Sequence, residues 1–326
     1  MSSILFHARE AGVATMILAL EEYLQDQGFN LFYDVDEHAA DILTNKRHGT
    51  IEEADIIICG YDSAKTDRTG KFLRTVKKTI PTIGLLDSWK GVDRFWYPNG
   101  ELRPLTDLLI VPDENIRDYL KNKGMPDKLL IALAHPYIEK LKNTTLSKRK
   151  ESNSKMRSHF RLKDDEKVML LLSEPLHSKT GGYISLLTKD VSNGQDIIQW
   201  LNNQYGMKYK LAVRLHPLEE TTVPGEWLNI SSIDFDDALA LADKVCGLGS
   251  TTLAYAVAYG LDVRCLDKEI KDWVPESSDI PSLLWDSLID NGVFQNQPDR
   301  VRNITMSASK LRSFECITNE INRILV

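Results

Sequence analysis

The sequence from Lys244 to Leu266 reads KVCGLGSTTLAYAVAYGLDVRCL and predicts a strand, a tight turn, a helix and a second strand in succession. The turn, Gly247 to Thr252, brings small residues and hydroxyl groups to the start of the helix. Free backbone N–H groups and the positive end of the helix dipole gather there, and both favour a bound phosphate. The stretch therefore indicates an α/β fold with a phosphate or nucleotide site beside this helix.

A second apolar strand lies upstream, where Lys210 to Pro217 reads KLAVRLHP and ends in Arg214, His216 and Pro217. A guanidinium and an imidazole at a strand end can both donate hydrogen bonds to phosphate oxygens. The alternative is structural, with Pro217 ending the strand and His216 hydrogen-bonded at the sheet edge. If both strands belong to one parallel sheet, their carboxyl ends share the edge at which open α/β sheets bind ligands.

The remaining sequence alternates short apolar runs with amphipathic segments. Apolar runs that do not alternate with polar residues are typical of parallel strands covered on both faces. The pattern forms two arrays, residues 1–145 and 160–326, and each predicts an α/β domain with a parallel sheet. In chain order, the predicted strands are Ser2–Phe6, Asn30–Val35, Ala54–Cys59, Thr82–Leu86, Asp107–Val111, Lys128–Leu133, Lys167–Leu172, Lys210–Leu215, Leu228–Ile230, Lys244–Cys246 and Asp262–Leu266.

Between the arrays, Asn143 to Lys155 reads NTTLSKRKESNSK and has little to bury. It is predicted to be a surface linker or an excursion between the domains, and its basic run, Lys148 to Lys150, is predicted to be a solvated face without function. Towards the end of the chain, Pro281 to Asn291 and Val301 to Leu325 are predicted helices. The last of them is expected to pack back toward the first domain.

The bulk composition is that of an ordinary globular protein: 326 residues, 42% hydrophobic, 27% charged and a net charge of -7. This charge does not favour a nucleic-acid partner.

No apolar run approaches the ~20 residues of a membrane-spanning helix, and no signal peptide is evident, so we expect a cytoplasmic protein with at most peripheral membrane association. The four cysteines and seven histidines lack ligand spacing, which predicts no metal site. No G-x-S-x-G follows a strand, which argues against a serine hydrolase.

Polar residues follow two of the predicted strands in the first array. His7, Arg9 and Glu10 lie in the loop His7 to Gly12, and Asp87 ends the fourth strand. Glu10 or Asp87 is a candidate general base, with no preference between them. The alternative for the loop is ordinary surface charge. In the second array, Ser173 and Glu174 follow the first strand and are candidates for contact with a phosphate or sugar.

Two motifs carry a resemblance to a family. Arg214-Leu215-His216-Pro217, followed by Gly249-Ser250-Thr251-Thr252, resembles the HP and S-S/T motifs of bacterial GT-B glycosyltransferases. The family members that share this arrangement use CMP- or CDP-linked donors; they are sialyltransferases, polysialyltransferases, Kdo transferases and CDP-glycerol glycerophosphotransferases. The segments Leu86–Trp89, Asp107–Pro112 and Asp127–Glu139 also look like the end of the N-terminal domain of surface-polysaccharide GT-B enzymes and UDP-sugar 2-epimerases.

The resemblance implies a GT-B fold, with two Rossmann-like domains facing across a cleft. It further implies that residues 1–145 bind a carbohydrate or glycolipid acceptor and that 160–326 bind the nucleotide-sugar donor. From their place in the first loop, His7 and Arg9 are the residues expected at the acceptor. The residues expected at the donor are Arg214, His216, Pro217, Gly249, Ser250, Thr251, Thr252, Ser173 and Glu174. Many GT-B enzymes carry a ribose-binding glutamate where this chain has Tyr255, and the acidic D/E-D/E-G motif of the sialyltransferases is not present in that form.

The activity so implied is metal-independent glycosyl transfer without a cofactor, in bacterial surface polysaccharide or glycoconjugate synthesis. A CMP or CDP donor is favoured, with UDP as the alternative nucleotide. Two other functions stay open. One is a UDP-sugar 2-epimerase or hydrolase of the same fold, and the other is a non-catalytic scaffold protein.

Overall fold

The computed structural model describes residues 2–62, 66–87, 94–133, 135–173, 194–216, 221–247, 251–265 and 313–325. Its strands are β1 (Ser3–Ala8), β2 (Asn30–Val35), β3 (Ile56–Gly60), β4 (Thr82–Leu85), β5 (Leu108–Val111), β6 (Leu130–Ala132), β7 (Val168–Leu172), β8 (Lys210–Arg214), β9 (Leu228–Asn229), β10 (Lys244–Gly247) and β11 (Asp262–Cys265). Its helices are α1 (Ala11–Asp26), α2 (Glu37–Ile42), α3 (Arg68–Thr75), α4 (Glu114–Asn122), α5 (Pro136–Asn143), α6 (Leu146–His159), α7 (Gly194–Tyr205), α8 (Phe235–Leu241), α9 (Thr251–Tyr259) and α10 (Ser313–Leu325).

The chain forms two compact units, each built on one parallel sheet. The first unit is Met1–Lys140 with Ile304–Val326, and the second is Leu141–Asn303. The sheet of the first unit has the order β2-β1-β3-β4-β5-β6, and that of the second β11-β10-β7-β8-β9. Every strand pair in both sheets is parallel. The prediction of two parallel α/β arrays is therefore confirmed.

In the first unit, the first turn of α1 packs closely on the sheet. The apolar side of α1 buries Val13, Ile17, Leu20 and Leu24 against the strands. A Cβ atom at Gly60, the last residue of β3, would lie only 2.1 Å from the Val13 side chain. Glycine at this position therefore lets the first turn of α1 approach the carboxyl edge of the sheet.

The last helix belongs to the first unit, which corrects the predicted boundary of 160–326 for the second domain. Ile317 and Ile321 of α10 are fully buried in the core that α1 also lines. The rings of Tyr23 and Phe314 stack with centroids 5.5 Å apart. The apolar face of α10 repeats at helical spacing, and α1 offers it a matching surface.

The predicted linker is instead a helix, α6, whose first turn is capped when Thr145 accepts a hydrogen bond from the backbone N–H of Lys148 at 3.3 Å. It packs on α8 through polar groups. Asn153 donates to the carbonyl of Ala240 at 2.7 Å, and Lys155 pairs with Asp237 at 2.9 Å. Because these contacts are polar, an apolar pattern could not reveal the helix.

The basic run within α6 is also only partly solvated. Arg149 donates hydrogen bonds to the carbonyls of Tyr259 and Leu141, and its guanidinium lies 4.3 Å from the centre of the Tyr259 ring. Arg149 thus joins α6 to the end of α9.

Among the helices that the structure describes, none has both the length and the apolar composition of a membrane-spanning segment.

Candidate functional site

In the second unit, three strands end side by side. Strand β7 lies between β8 and β10, and Leu172 at its end pairs with Arg214 on one side and Gly247 on the other. The segments that follow these strands therefore share one carboxyl edge, where open α/β sheets bind ligands. The expectation that β8 and β10 end at a common edge is confirmed, with β7 between them.

Ser173 and His216, both predicted to bind a donor, are in direct contact at this edge. The hydroxyl oxygen of Ser173 accepts a hydrogen bond of 2.7 Å from the backbone N–H of His216. The N–H of Ser173 donates to the carbonyl of Arg214 at 3.1 Å. His216 is half-buried and lies two residues beyond the last paired residue of β8. The backbone after β8 is thereby fixed beside the end of β7.

Arg214 has a different set of contacts from those expected for a donor ligand. Its guanidinium donates to the carbonyls of Ile233 and Ile230, and it lies 5.5 Å from the centre of the Phe235 ring. These contacts hold the segment that precedes α8. The described geometry thus supports a structural role for Arg214, and its role in donor binding stays a prediction.

Helix α9 begins at the same edge. Thr251 and Thr252 occupy its first two positions and are half-buried. A Cβ atom at Gly247 would lie 2.9 Å from the carbonyl oxygen of Leu172, so glycine allows the chain to leave β10 so close to β7. The positive end of α9 is therefore directed to the edge that carries Ser173 and His216. The other predicted donor residues, Glu174, Pro217, Gly249 and Ser250, lie outside the described residues.

Tyr255 is a core residue of α9. It is 4% exposed, and its ring meets the ring of Phe235 edge-on with centroids 6.1 Å apart. A buried aromatic ring does not supply the carboxylate that a glutamate would offer to ribose hydroxyls. Tyr255, which stands where the GT-B motif has a glutamate, is thus explained by packing, because its ring contacts Phe235 in the core.

The first sheet has a carboxylate cluster at its own carboxyl edge. Its strand order reverses between β1 and β3, and such a switch point is the usual ligand site of an open α/β sheet. Glu10 follows β1, Asp62 follows β3 and Asp87 follows β4. The sequence predicted Glu10 and Asp87 as candidate bases, and the structure brings both to this edge. Sequence reasoning missed Asp62, since a lone aspartate after a strand carries no motif.

Asp87 is buried, and both of its oxygens are in contact with the protein. Its Oδ1 accepts a hydrogen bond of 3.0 Å from Arg94, which also donates to the carbonyl of Tyr61 at 2.6 Å. Its Oδ2 lies against Gly12, where an added Cβ atom would come within 1.9 Å. Asp87 is thus held between a guanidinium and the first turn of α1.

Glu10 is half-buried at the N-cap position of α1, and its side chain makes no capping hydrogen bond. Burial raises the pKa of Glu10 above its ordinary value. The charge of Arg94 opposes this rise in pKa, the charges of Asp87 and Asp62 add to it, and His38 opposes it. A carboxylate with a raised pKa is a stronger base, which suits proton transfer near neutral pH.

His7 lies inside β1 and not in the loop that the sequence predicted. Its ring is 1% exposed, its Nδ1 lies 2.7 Å from Asp34 of β2, and it stacks on Phe72 at 3.7 Å. Burial lowers the pKa of His7, despite the hydrogen bond to Asp34, and this favours the neutral ring. The strand extends over His7 because this residue is paired with Asp34 in the sheet.

Arg9 is held by the same carboxylates. It contacts Asp34 at 3.3 Å and Asp36 at 3.2 Å, and its carbonyl accepts a hydrogen bond from Ala39 at 3.2 Å. Although partial burial raises the pKa of Asp34, the hydrogen bond from His7 and the charge of Arg9 bring it below its usual range. The contacts of His7 and Arg9 fix the backbone beside Glu10, and acceptor binding by these two residues stays a prediction.

A buried ionic network supports the cluster from behind. The Arg103 side chain is fully buried and donates to Asp62 at 2.9 Å, to Asp67 at 3.0 Å and to the carbonyl of Arg94 at 2.6 Å. Burial alone raises the pKa of Asp62, but hydrogen bonds from Thr66, the backbone of Arg68 and Arg103 lower it to about 2. Arg103 thus connects the loop after β3 to the segment that carries Arg94.

His135 lies behind Asp87 at the start of α5. Its buried side chain is hydrogen-bonded to the backbone of Asp87. Burial lowers the pKa of His135 to about 4, and the charge of Asp87 only partly opposes this. The ring is therefore neutral in the folded protein near pH 7.

We expect stability to fall as the pH drops from 6.5 to 4, because His135 binds a proton in the unfolded chain before it does so in the folded one. Since one pKa unit corresponds to about 1.4 kcal/mol, His135 accounts for a loss of about 3 kcal/mol over this range. Urea unfolding of the wild type and His135→Gln at several pH values measures this pH dependence of the free energy of unfolding. The variant should show a shallower dependence on pH, and the exposed-site control His159→Gln should match the wild type. Equal slopes in all three proteins would contradict the assignment.

No group of three or more His, Cys, Asp or Glu side chains that could hold a metal ion is found within the described residues. No protein-family model matches the chain, and no curated protein matches its sequence.

Solved structures match the chain over nearly its full length. The wall teichoic acid polymerase TagF is 14% identical, with a TM-score of 0.61 over 99% of this chain and 89% of that one. The S. aureus MnaA–UDP structure is 13% identical, with a TM-score of 0.59 over 94% and 87% of the two chains. The UDP-GlcNAc 2-epimerase from Methanocaldococcus jannaschii is 11% identical, with a TM-score of 0.57 over 98% and 99%. At this level of identity the likeness concerns the fold, and the chain has the GT-B fold, with two parallel-sheet α/β domains.

Proposed function

We propose that this GT-B chain is a metal-independent glycosyltransferase that uses a nucleotide-activated sugar, with a CMP or CDP donor favoured over UDP. The second unit would bind the donor, and the first would bind a carbohydrate or glycolipid acceptor and supply the base. The observation that supports this most directly is the shared edge of β7, β8 and β10. The hydrogen bond from the His216 backbone to Ser173 holds these two residues at that edge, where β10, the strand before α9, also ends. Our proposal is that Ser173, His216 and the start of α9 act there as donors to the phosphate.

The chemistry proposed for this edge is stabilisation of the leaving nucleotide. As the bond from the sugar to the phosphate breaks, negative charge builds on the phosphate oxygens. The His216 ring and the N–H groups at the start of α9 would offset that charge, as fixed dipoles do in other enzymes. A carboxylate of the first unit, Glu10 or Asp87, would remove the proton from the acceptor hydroxyl.

No step of this scheme uses a metal, and EDTA is expected to leave turnover unchanged.

A second candidate is a nucleotide-sugar 2-epimerase or hydrolase on the same fold. The similarity to the UDP-GlcNAc 2-epimerase, which extends over 98% of this chain, favours it. Such an enzyme would convert its substrate without an acceptor. The carboxylate cluster of the first sheet suits proton transfer in either reaction, so the donor and the need for an acceptor must be measured.

A panel of CMP-, CDP-, UDP- and GDP-sugars tests these alternatives. Stabilisation in a thermal-shift assay, with slow hydrolysis that an acceptor accelerates, is the result expected for a transferase. Stabilisation with complete conversion in the absence of an acceptor would point to the epimerase or hydrolase. A chain that none of the four classes stabilises would instead be a non-catalytic scaffold, and the proposal would be withdrawn.

We expect His216→Ala to weaken binding of the stabilising nucleotide by about 10-fold or more, because a hydrogen bond to a charged phosphate is worth about 1.5–3 kcal/mol. Calorimetric titration measures the affinity. The control is His159→Ala, which removes an exposed histidine of α6 and should bind like the wild type. Equal affinities for wild type and His216→Ala would remove His216 from the donor site.

A further inference from the structure

We propose that Glu10, and not Asp87, accepts the proton from the acceptor hydroxyl. Asp87 and Arg94 are then positioning residues, which act on Glu10 through their charges and through the ion pair that they form. This assignment rests on the proposed function, because it names the residue that performs one step of that reaction. In the structure, Glu10 and Asp87 have different contacts, although the sequence offers no reason to prefer one of them as the base.

The contacts of Asp87 leave it poorly placed to take a proton from a substrate. One oxygen is bound to Arg94 at 3.0 Å, and the other is packed on the backbone of Gly12. The residue is 7% exposed. A substrate hydroxyl would have to displace either the guanidinium or the first turn of α1 to reach it.

Glu10 has the opposite environment. It follows β1 at the switch point of the sheet, where ligands of such folds bind. Its side chain does not cap α1, and no hydrogen bond to its carboxylate is found among the described residues. It is half-buried, and its carboxylate oxygens are not among the fully buried side-chain atoms that lack a partner, so they keep contact with solvent. Glu10 therefore combines an accessible oxygen with an environment that has low solvation.

The charges that face Glu10 come from several elements. Arg94 precedes β5 and favours its ionised form, as does His38 of α2, whereas Asp87 after β4 and Asp62 after β3 disfavour it. Burial is the largest cause of the raised pKa of Glu10, and the charges of the two aspartates add to it. Asp87 thus makes Glu10 a stronger base, and the charge of Arg94 partly offsets this rise in pKa.

The acceptor oxygen forms a bond to the anomeric carbon of the sugar while its proton passes to a carboxylate oxygen of Glu10. The bond from the anomeric carbon to the donor phosphate breaks, and the nucleotide leaves with that electron pair. Glu10 ends the step protonated and returns the proton to solvent.

Carboxyl titration by NMR tests the assignment without a substrate. With glutamate labelled by carbon-13 at the carboxyl carbon, Glu10→Gln identifies the Glu10 signal by its loss. Its midpoint should lie above the ordinary value of a glutamate side chain. Asp87→Asn should lower the midpoint, and Arg94→Gln should raise it, each by about 0.5 pH unit or more. A midpoint at the ordinary glutamate value, or one that both substitutions leave unchanged, would overturn the assignment.

Turnover of the sugar nucleotide that stabilises the protein gives the second measurement. Glu10→Gln should lose about 100-fold or more in turnover yet keep its affinity for the nucleotide, and Glu22→Gln should match the wild type. In Asp87→Asn the acid limb of the pH profile should move to lower pH with residual activity. Full turnover in Glu10→Gln would overturn the proposal. A wild type that binds no nucleotide would refute the proposed function instead, and the NMR titration would still report on Glu10.

Discussion

Replacing Arg103 with methionine is expected to lower the free energy of unfolding by about 3–5 kcal/mol, the usual cost of removing one partner from a buried ionic network. The Arg103 side chain is fully buried between Asp62 and Asp67. Methionine has a similar length but no donors, so Asp62 and Asp67 would both lose their buried cationic partner in a site with little water. Urea unfolding at neutral pH measures the loss.

The control for this variant is Arg74→Met, because Arg74 pairs with the same Asp67 at 3.1 Å but is 50% exposed. Exposed ion pairs contribute little, so this variant should unfold close to the wild type. Arg103→Lys is expected to remain strongly destabilised, since an ammonium cannot reproduce the planar fork that reaches two carboxylates and two carbonyls. Similar losses in Arg74→Met and Arg103→Met would show that burial does not decide the strength of this network.

Gly12→Ala is expected to reduce turnover by about 100-fold and to destabilise the protein by about 1–3 kcal/mol. In an ordinary helix the same change stabilises by up to about 1 kcal/mol, so the expected sign is reversed. The reason is that the new Cβ atom would lie 1.9 Å from Asp87 Oδ2 and would push Asp87 away from Arg94. Urea unfolding and turnover of the stabilising sugar nucleotide measure the two effects.

The double variant Gly12→Ala, Asp87→Ala gives the decisive comparison. Removing the Asp87 carboxylate makes room for the new methyl group, so the double variant should lose less stability than the sum of the two single variants. Gly225→Ala is the control, because a Cβ atom there meets nothing within 4 Å. Additive losses in the double variant would mean that Gly12 and Asp87 are not in the contact described.

The positions of several candidate site residues could be predicted from the sequence. Strand ends followed by Glu10, Asp87, Ser173 and His216 predicted that these residues lie at carboxyl edges, and the structure places each of them there. The sequence could not separate Glu10 from Asp87, since their difference arises from Arg94 and Gly12. Neither of these carries a motif. Gly12 meets Asp87 only through a contact between segments distant in the chain. Arg94 is close to Asp87 in sequence, but the segment between them has no pattern that predicts their ion pair.

Hydrophobic pattern by itself determined the order of strands and helices and the parallel sheets, because short apolar runs between helices have few other ways to be buried. Only the tertiary structure decided where polar side chains find their partners. It made a helix of the polar segment Leu146–His159 and placed His7 within a strand. The physical reason is that apolar burial follows the local period of the chain, whereas an ion pair or hydrogen bond depends on which distant group the fold brings within about 3 Å.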